Sequence, residues 1–334
     1  MAPGYLLTNG EIKKYFVSET ELWGRFNYVF SNSCAKRSTY KFGFIKSILD
    51  NLLSAQKTPK GMELSYSLLF AKFAENYWNI VTKYHLKQIR PDGKSDTTKL
   101  ERIFSSITDQ NAIVSQVAFE NLLSKDRDHI IAAISKECRK NVVGALYNDF
   151  EGVLYGFDLK AVGIWINPVA YEFMLKYKLE IEQLNYYAWA RFMEKINEDD
   201  ALRHVLRDLE SSTPKRQDLS IYRQILKKEF EESNCFYCGK KLNNSSHVDH
   251  VIPWTFVKSD HLWNFVLACP SCNSRKNDLL PSKANLSRVI TRNEFHLHSE
   301  NSVVREEFAA YNADLLWSIW DYAKMSGFRI ANQE

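Results

Sequence analysis

A mostly helical α+β chain in two parts is what this sequence predicts. Three observations carry that expectation. Apolar residues recur three and four apart through much of the first two hundred positions. A short glycine-bounded, β-rich stretch interrupts them at 152–166. Two Cys-x-x-Cys pairs then lie close together in the last third.

The helical part is clearest at 68–78. Leu69, Phe73 and Tyr77 form one stripe, with Phe70, Ala74 and Trp78 beside it. The turn signal Pro91-Asp92-Gly93 follows and ends that helix. Residues 41–53, 111–123 and 127–141 read as further helices. Gly152-Val153-Leu154-Tyr155-Gly156-Phe157-Asp158 and Val162-Gly163-Ile164-Trp165-Ile166 are suited to pair as a small hairpin. Asn167-Pro168 supplies an N-cap and a first-turn proline for the next helix. Helix, hairpin and helix loosely resemble a winged-helix arrangement.

The stretch 211–218 is polar and carries Pro214, which puts a boundary there. Residues 1–213 form a large helical domain for recognition or regulation, and 214–334 form a second domain. A helix from about Leu219 to Phe230 leads into the cysteine module. A final helix spans 303–325 with Phe308, Leu315, Leu316, Ile319 and Trp320 on its apolar face, ended by Gly327.

Bulk properties exclude several classes. With 45% hydrophobic and 25% charged residues in 334, the chain is neither disordered nor membranous. No run approaches the ~18 apolar residues a membrane-spanning helix needs. Met1-Ala2-Pro3-Gly4-Tyr5 lacks the basic start and apolar stretch of a secretory signal, so the expectation is a cytosolic protein. The formal charge of +4 hints weakly at a polyanionic partner. Basic clusters say more. Lys36-Arg37-Ser38-Thr39-Tyr40-Lys41-Phe42 interleaves cations with rings, as a segment gripping nucleic acid does. Lys215, Arg216, Arg223, Lys227 and Lys228 precede the cysteines, and a solvated surface explains either cluster equally well.

Cys235-Phe236-Tyr237-Cys238 and Cys269-Pro270-Ser271-Cys272 are two knuckles. Each bends the backbone so that both thiolates reach one ion, and two together make a closed four-sulfur site suited to structural zinc. Gly239 follows the first pair, where the turn favours a residue without Cβ strain. Cys34 and Cys138 stand apart as free thiols. A metal saturated with sulfur has no open position, so chemistry must come from elsewhere.

Between the knuckles lie His247-Val248-Asp249-His250-Val251-Ile252-Pro253 and Asn264-Phe265-Val266-Leu267-Ala268, and Asn273-Ser274-Arg275-Lys276-Asn277 follows them. Phosphodiester hydrolysis needs a base to activate water and a cation at the leaving oxygen, and a purely structural zinc ribbon needs neither. The segment 235–282 resembles the HNH, or β-β-α-metal, nuclease family, including the HNH domain of RNA-guided CRISPR effector nucleases. The resemblance implies a β-β-α-metal core at 235–282. It implies His250 as general base, Asp249 and Asn273 as ligands of one catalytic cation, and Asn264 as the residue that fixes the loop and orients His250. The last family position is often histidine. Asn273 there gives two oxygen donors, which favours Mg²⁺ or Mn²⁺. Asn277, one turn on, is the competing ligand. His247 shares the strand face of Asp249 and either touches phosphate or lies at the surface, while Arg275 and Lys276 are candidates to meet phosphates beside the site. Asp260 and His261 read as solvated loop residues. The implied activity is endonucleolytic cleavage, of double-stranded DNA before RNA, in bacterial restriction or phage defence. A zinc-stabilised DNA-binding or interaction protein without catalysis is the alternative. A protein partner or a homodimer is compatible with the sequence.

Overall fold

The computed structural model describes residues 4–91, 95–109, 117–197, 218–243 and 246–331. The chain divides into two compact units, Met1–Pro214 and Lys215–Glu334. Of the expected boundary at 211–218, only Asp218 is among the described residues. No helix among the described residues is long and apolar enough to cross a membrane.

The first unit is built around one helix. Its elements run β1 (Asn9–Gly10), α1 (Glu19–Phe30), α2 (Tyr40–Asn51), β2 (Gln56–Thr58), β3 (Gly61–Ser65), α3 (Tyr66–Thr82), α4 (Lys99–Thr108), α5 (Ser124–Asp149), β4 (Tyr155–Asp158), β5 (Gly163–Ile166), α6 (Pro168–Lys176) and α7 (Lys178–Met193). Every residue of α2 is buried, and α3, α5 and α7 all pack on it. A helix buried all round must pair its polar groups. Lys41 meets Asp149 at 2.5 Å. Lys46 meets Asp50 and, at 3.1 Å, Glu182. Asn76 donates to the other oxygen of Asp50 at 3.1 Å. The expected stripe on α3 is wholly buried: Leu69, Phe70, Phe73, Ala74, Tyr77 and Trp78. That helix ends at Thr82, well before Pro91.

The two glycine-bounded segments do pair, Tyr155 with Ile166 and Phe157 with Ile164. They are not the wing of a winged helix. They form the centre of a five-stranded antiparallel sheet of order β1-β4-β5-β3-β2. A Cβ on Gly163 would lie 2.0 Å from the carbonyl oxygen of Leu64, so only glycine lets β3 and β5 approach here. Asn167 caps α6 as expected, accepting from the Val169 amide at 3.0 Å. In the segment 111–123, residues 111–116 lie outside the described set, and Phe119–Asn121 form a 3-10 turn rather than an α-helix.

The second unit comprises α8 (Ser220–Lys228), β6 (His247–His250), α9 (Trp254–Val257), β7 (Phe265–Ala268), α10 (Pro270–Lys276), α11 (Lys283–His296), α12 (Ser302–Glu307) and α13 (Ala313–Met325). The single C-terminal helix expected at 303–325 is two. Asn312 breaks it, taking an extended conformation and accepting the Leu315 amide at 2.7 Å as a new N-cap. Gly327, at φ +93°, ends the last helix as expected. Helix α11 was not anticipated. Ser282 caps it, and Leu286, Val289 and Ile290 bury its inner face.

Candidate active site

The site grows from a two-stranded hairpin and one short helix. Strands β6 and β7 pair antiparallel, with Asp249 opposite Val266 and His250 opposite Phe265. Strand β7 is buried throughout. Arg292 braces it from α11, donating to the Phe265 carbonyl and to Glu232, each at 2.6 Å, while Glu232 accepts the Leu267 amide at 2.6 Å. Burial raises the Glu232 carboxyl above its ordinary value. Arg292 facing it favours the charged form that the amide and guanidinium need.

The four knuckle cysteines converge. Their sulfurs all lie within 4.8 Å of one another, and Cys238 and Cys269 are 3.9 Å apart. That is far longer than a disulfide. It matches the roughly 3.8 Å edge of a tetrahedron with Zn–S bonds of about 2.3 Å. The donor set fits zinc, and the four residues that would hold it are Cys235, Cys238, Cys269 and Cys272. The backbone N–H of Cys272 lowers the Cys269 thiol pKa, which favours the thiolate a metal binds. Gly239 has φ +70° and donates to the Cys235 carbonyl at 2.9 Å, closing the first knuckle as expected. Cys34 and Cys138 are buried free thiols of the first unit.

The knuckle reaches the strand through Tyr237. Its ring packs on the cysteine cluster, and its hydroxyl donates to Asp249 Oδ2 at 2.5 Å. Burial, then the Asp249 charge, pushes the phenol well above its ordinary pKa and keeps it a donor. Lys276 Nζ lies 3.4 Å from the same oxygen and donates to the His250 carbonyl at 2.6 Å. Lys276 is only 5% exposed. The expectation that it meets phosphate from the helix surface is therefore corrected: its charge is directed at Asp249 and the strand.

Asn264 is completely buried. Its side chain accepts the Ile252 amide at 2.8 Å and donates to the Ile252 carbonyl at 3.0 Å, pinning the loop just after His250. Its own carbonyl accepts the Val251 amide at 2.8 Å. Asn264→Ala strands two buried backbone groups and should cost about 2–4 kcal/mol, read as an earlier urea midpoint for zinc release. An unchanged midpoint would show that the loop does not depend on this amide.

His250 is buried, its ring edge-on to Phe265, and its Nε2 lies 2.8 Å from Asp260 Oδ1. Asp260 is not the solvated residue expected, since its side chain is only 12% exposed. Nor is His261, which is buried and stacked on Trp263 with ring centroids 4.8 Å apart. No local signal marks Asp260, because its partner stands ten residues back on a strand.

On α10, Asn273 Nδ2 lies 3.1 Å from His247 Nδ1. Committing the amide nitrogen to His247 leaves the amide oxygen as the hard donor. Asn277 no longer has helical geometry. It is the helix C-cap at φ +41°, and its side chain is exposed. Arg275 is exposed and directs one nitrogen to Cys272 Sγ at 3.6 Å.

No curated protein and no solved structure matches the chain. A family model does match, that of HNH endonucleases, and it covers the knuckles, both strands and α10. Residues 235–279 of this chain are an HNH endonuclease domain.

Proposed function

We propose that the second unit hydrolyses phosphodiester bonds in double-stranded DNA, with Mg²⁺ or Mn²⁺ held by Asp249 and Asn273. The observation that carries this reading is the placement of Asp249 and His250 at the end of β6, with the next turn locked by Asn264. The oxygens of Asp249 and Asn273 suit a hard cation, which would supply charge stabilisation at the leaving oxygen. Tyr237 and Lys276 hold Asp249 in place. His250 serves as general base. An Nε2–H donated to Asp260 leaves the basic lone pair on Nδ1, and the carboxylate stabilises the imidazolium once the proton is taken. His247 orients Asn273, and Arg275 remains the candidate phosphate contact on the exposed side of α10.

Asp260 is accordingly a positioning residue. Asp260→Ala should lower kcat by roughly 10–10²-fold with KM and zinc content little changed, and Asp260→Glu should recover part of the loss. A fall in kcat with a raised KM and zinc loss would mark Asp260 as merely structural.

The first unit, with the boundary set at 213/214, is proposed to recognise or regulate, and the setting to be bacterial restriction or phage defence. Purified protein should be incubated with plasmid, phage DNA, modified DNA and RNA, each with Mg²⁺ or Mn²⁺. Cleavage of the DNA arms supports the reading. Cleavage of RNA alone moves the substrate, and binding without cleavage returns the domain to a zinc-stabilised interaction module.

A further inference from the structure

We propose that the first unit binds a phosphorylated nucleotide in a cleft between the C-terminal end of α1, the segment leading into α2, and α7. The cleft encloses about 760 Å³. That is within the usual range for a small-molecule site. Five cations line it, Lys36, Arg37, Arg90, Arg191 and Lys195, and among the described residues no carboxylate lines it with them. Such a gathering of positive charge attracts a polyanion.

The cations are mounted on polar groups and rings. Lys36 donates to the carbonyls of Ser31 at 2.7 Å and Cys34 at 3.2 Å, and its ammonium stands 5.7 Å from the Phe42 ring centre. Arg90 lies over the Phe192 ring at 5.0 Å. Lys195 donates to Asn32 at 2.8 Å. Glu194 holds Arg191 at 2.6 Å from outside the lining. That pair is largely solvent-exposed and is worth little, so an incoming phosphate can compete for the guanidinium. Burial also lowers the Lys36 pKa, and a phosphate beside it would oppose that shift.

Charge alone would suit any polyanion. Aromatic rings in the same wall narrow the class. Tyr187 lines the cleft and is 60% exposed, which presents a face on which a base can stack. Phosphate-binding cations beside an accessible ring are the two halves of nucleotide recognition. They also account for the basic and aromatic residues interleaved at 36–42, which the nuclease site does not use. Lys41, by contrast, is turned inward to Asp149.

The test is calorimetric titration of the full-length protein, without added divalent cation, by ATP, AMP, tripolyphosphate, a 5′-phosphorylated tetranucleotide and a DNA duplex. The nucleotide arms should saturate with one site per chain. ATP binding without the tetranucleotide identifies a free nucleotide, and the reverse identifies a strand end. Arg191→Glu with Lys195→Glu, both at exposed positions, should weaken binding at least ~10-fold with an unchanged melting temperature. Tyr187→Ala should weaken ATP but not tripolyphosphate. The proposal is overturned if no nucleotide binds, or if the charge reversals leave affinity intact. It is equally overturned if tripolyphosphate binds as well as ATP, or if the duplex alone binds. None of these outcomes bears on the nuclease reading, because cleavage at the second unit is not measured.

Discussion

His250→Ala is expected to abolish cleavage while leaving zinc content and DNA affinity nearly intact. A general base acts on the attacking water and adds little to ground-state binding, and its removal typically costs ~10²–10⁴ in rate. The side chain also packs against Phe265 and bonds to Asp260, so a zinc assay and a melting curve must accompany the kinetics. Substitutions at the cation ligands should differ in kind. Asn273→Ala and Asp249→Asn weaken the cation, so raised Mg²⁺ or Mn²⁺ should recover part of the rate. No concentration of metal should rescue His250→Ala. Asparagine is the better replacement at Asp249 because alanine would remove the acceptor that Tyr237 and buried Lys276 share. Asn277→Gly is the control. Its positive φ suits glycine, and its exposed side chain should matter little.

Cys269→Ser is expected to unfold the second unit rather than merely slow it. Apparent binding energies of structural zinc are about 10–16 kcal/mol near neutral pH, and in a small module that energy is folding energy. Elemental analysis should find about one zinc per wild-type chain. The variant should lose the metal and become protease-sensitive within 235–280. The loss should reach the active site, because Tyr237 sits inside the first knuckle and touches Asp249. Cys34→Ser and Cys138→Ser lie in the other unit and should not change the zinc content. Folded, active protein without zinc would contradict this account.

The cysteine knuckles and the hairpin between them are more legible in the sequence than the fold around them, and the reason is range. Knuckle spacing, the Asp249-His250 pair and the interval from Asn264 to Asn273 encode geometry over a few residues or one hairpin. The periodic stripe on α3 is local in the same sense, and it is buried as expected. What stayed hidden depends on partners far along the chain. Strands β1, β2 and β3 are short, and only pairing makes them strands: β1 and β3 with the 155–166 hairpin, and β2 with β3. Helix α2 carries lysines and an aspartate that suggest a wet face, yet Asp149, Glu182 and Asn76 satisfy them in the interior. Lys276 and Asp260 look like surface charges for the same reason. Each is drawn inward by a residue on β6, and nothing within a helical turn announces it.

The central claim is that this domain cuts nucleic acid with a cation other than the zinc. One measurement tests it most directly: conversion of supercoiled plasmid by zinc-loaded protein, with and without added Mg²⁺ or Mn²⁺, wild type beside His250→Ala. The account predicts nicking by the wild type only when the second cation is present, and none by the variant under any condition. Cleavage by His250→Ala at the wild-type rate, or wild-type cleavage that ignores the added cation, would contradict it.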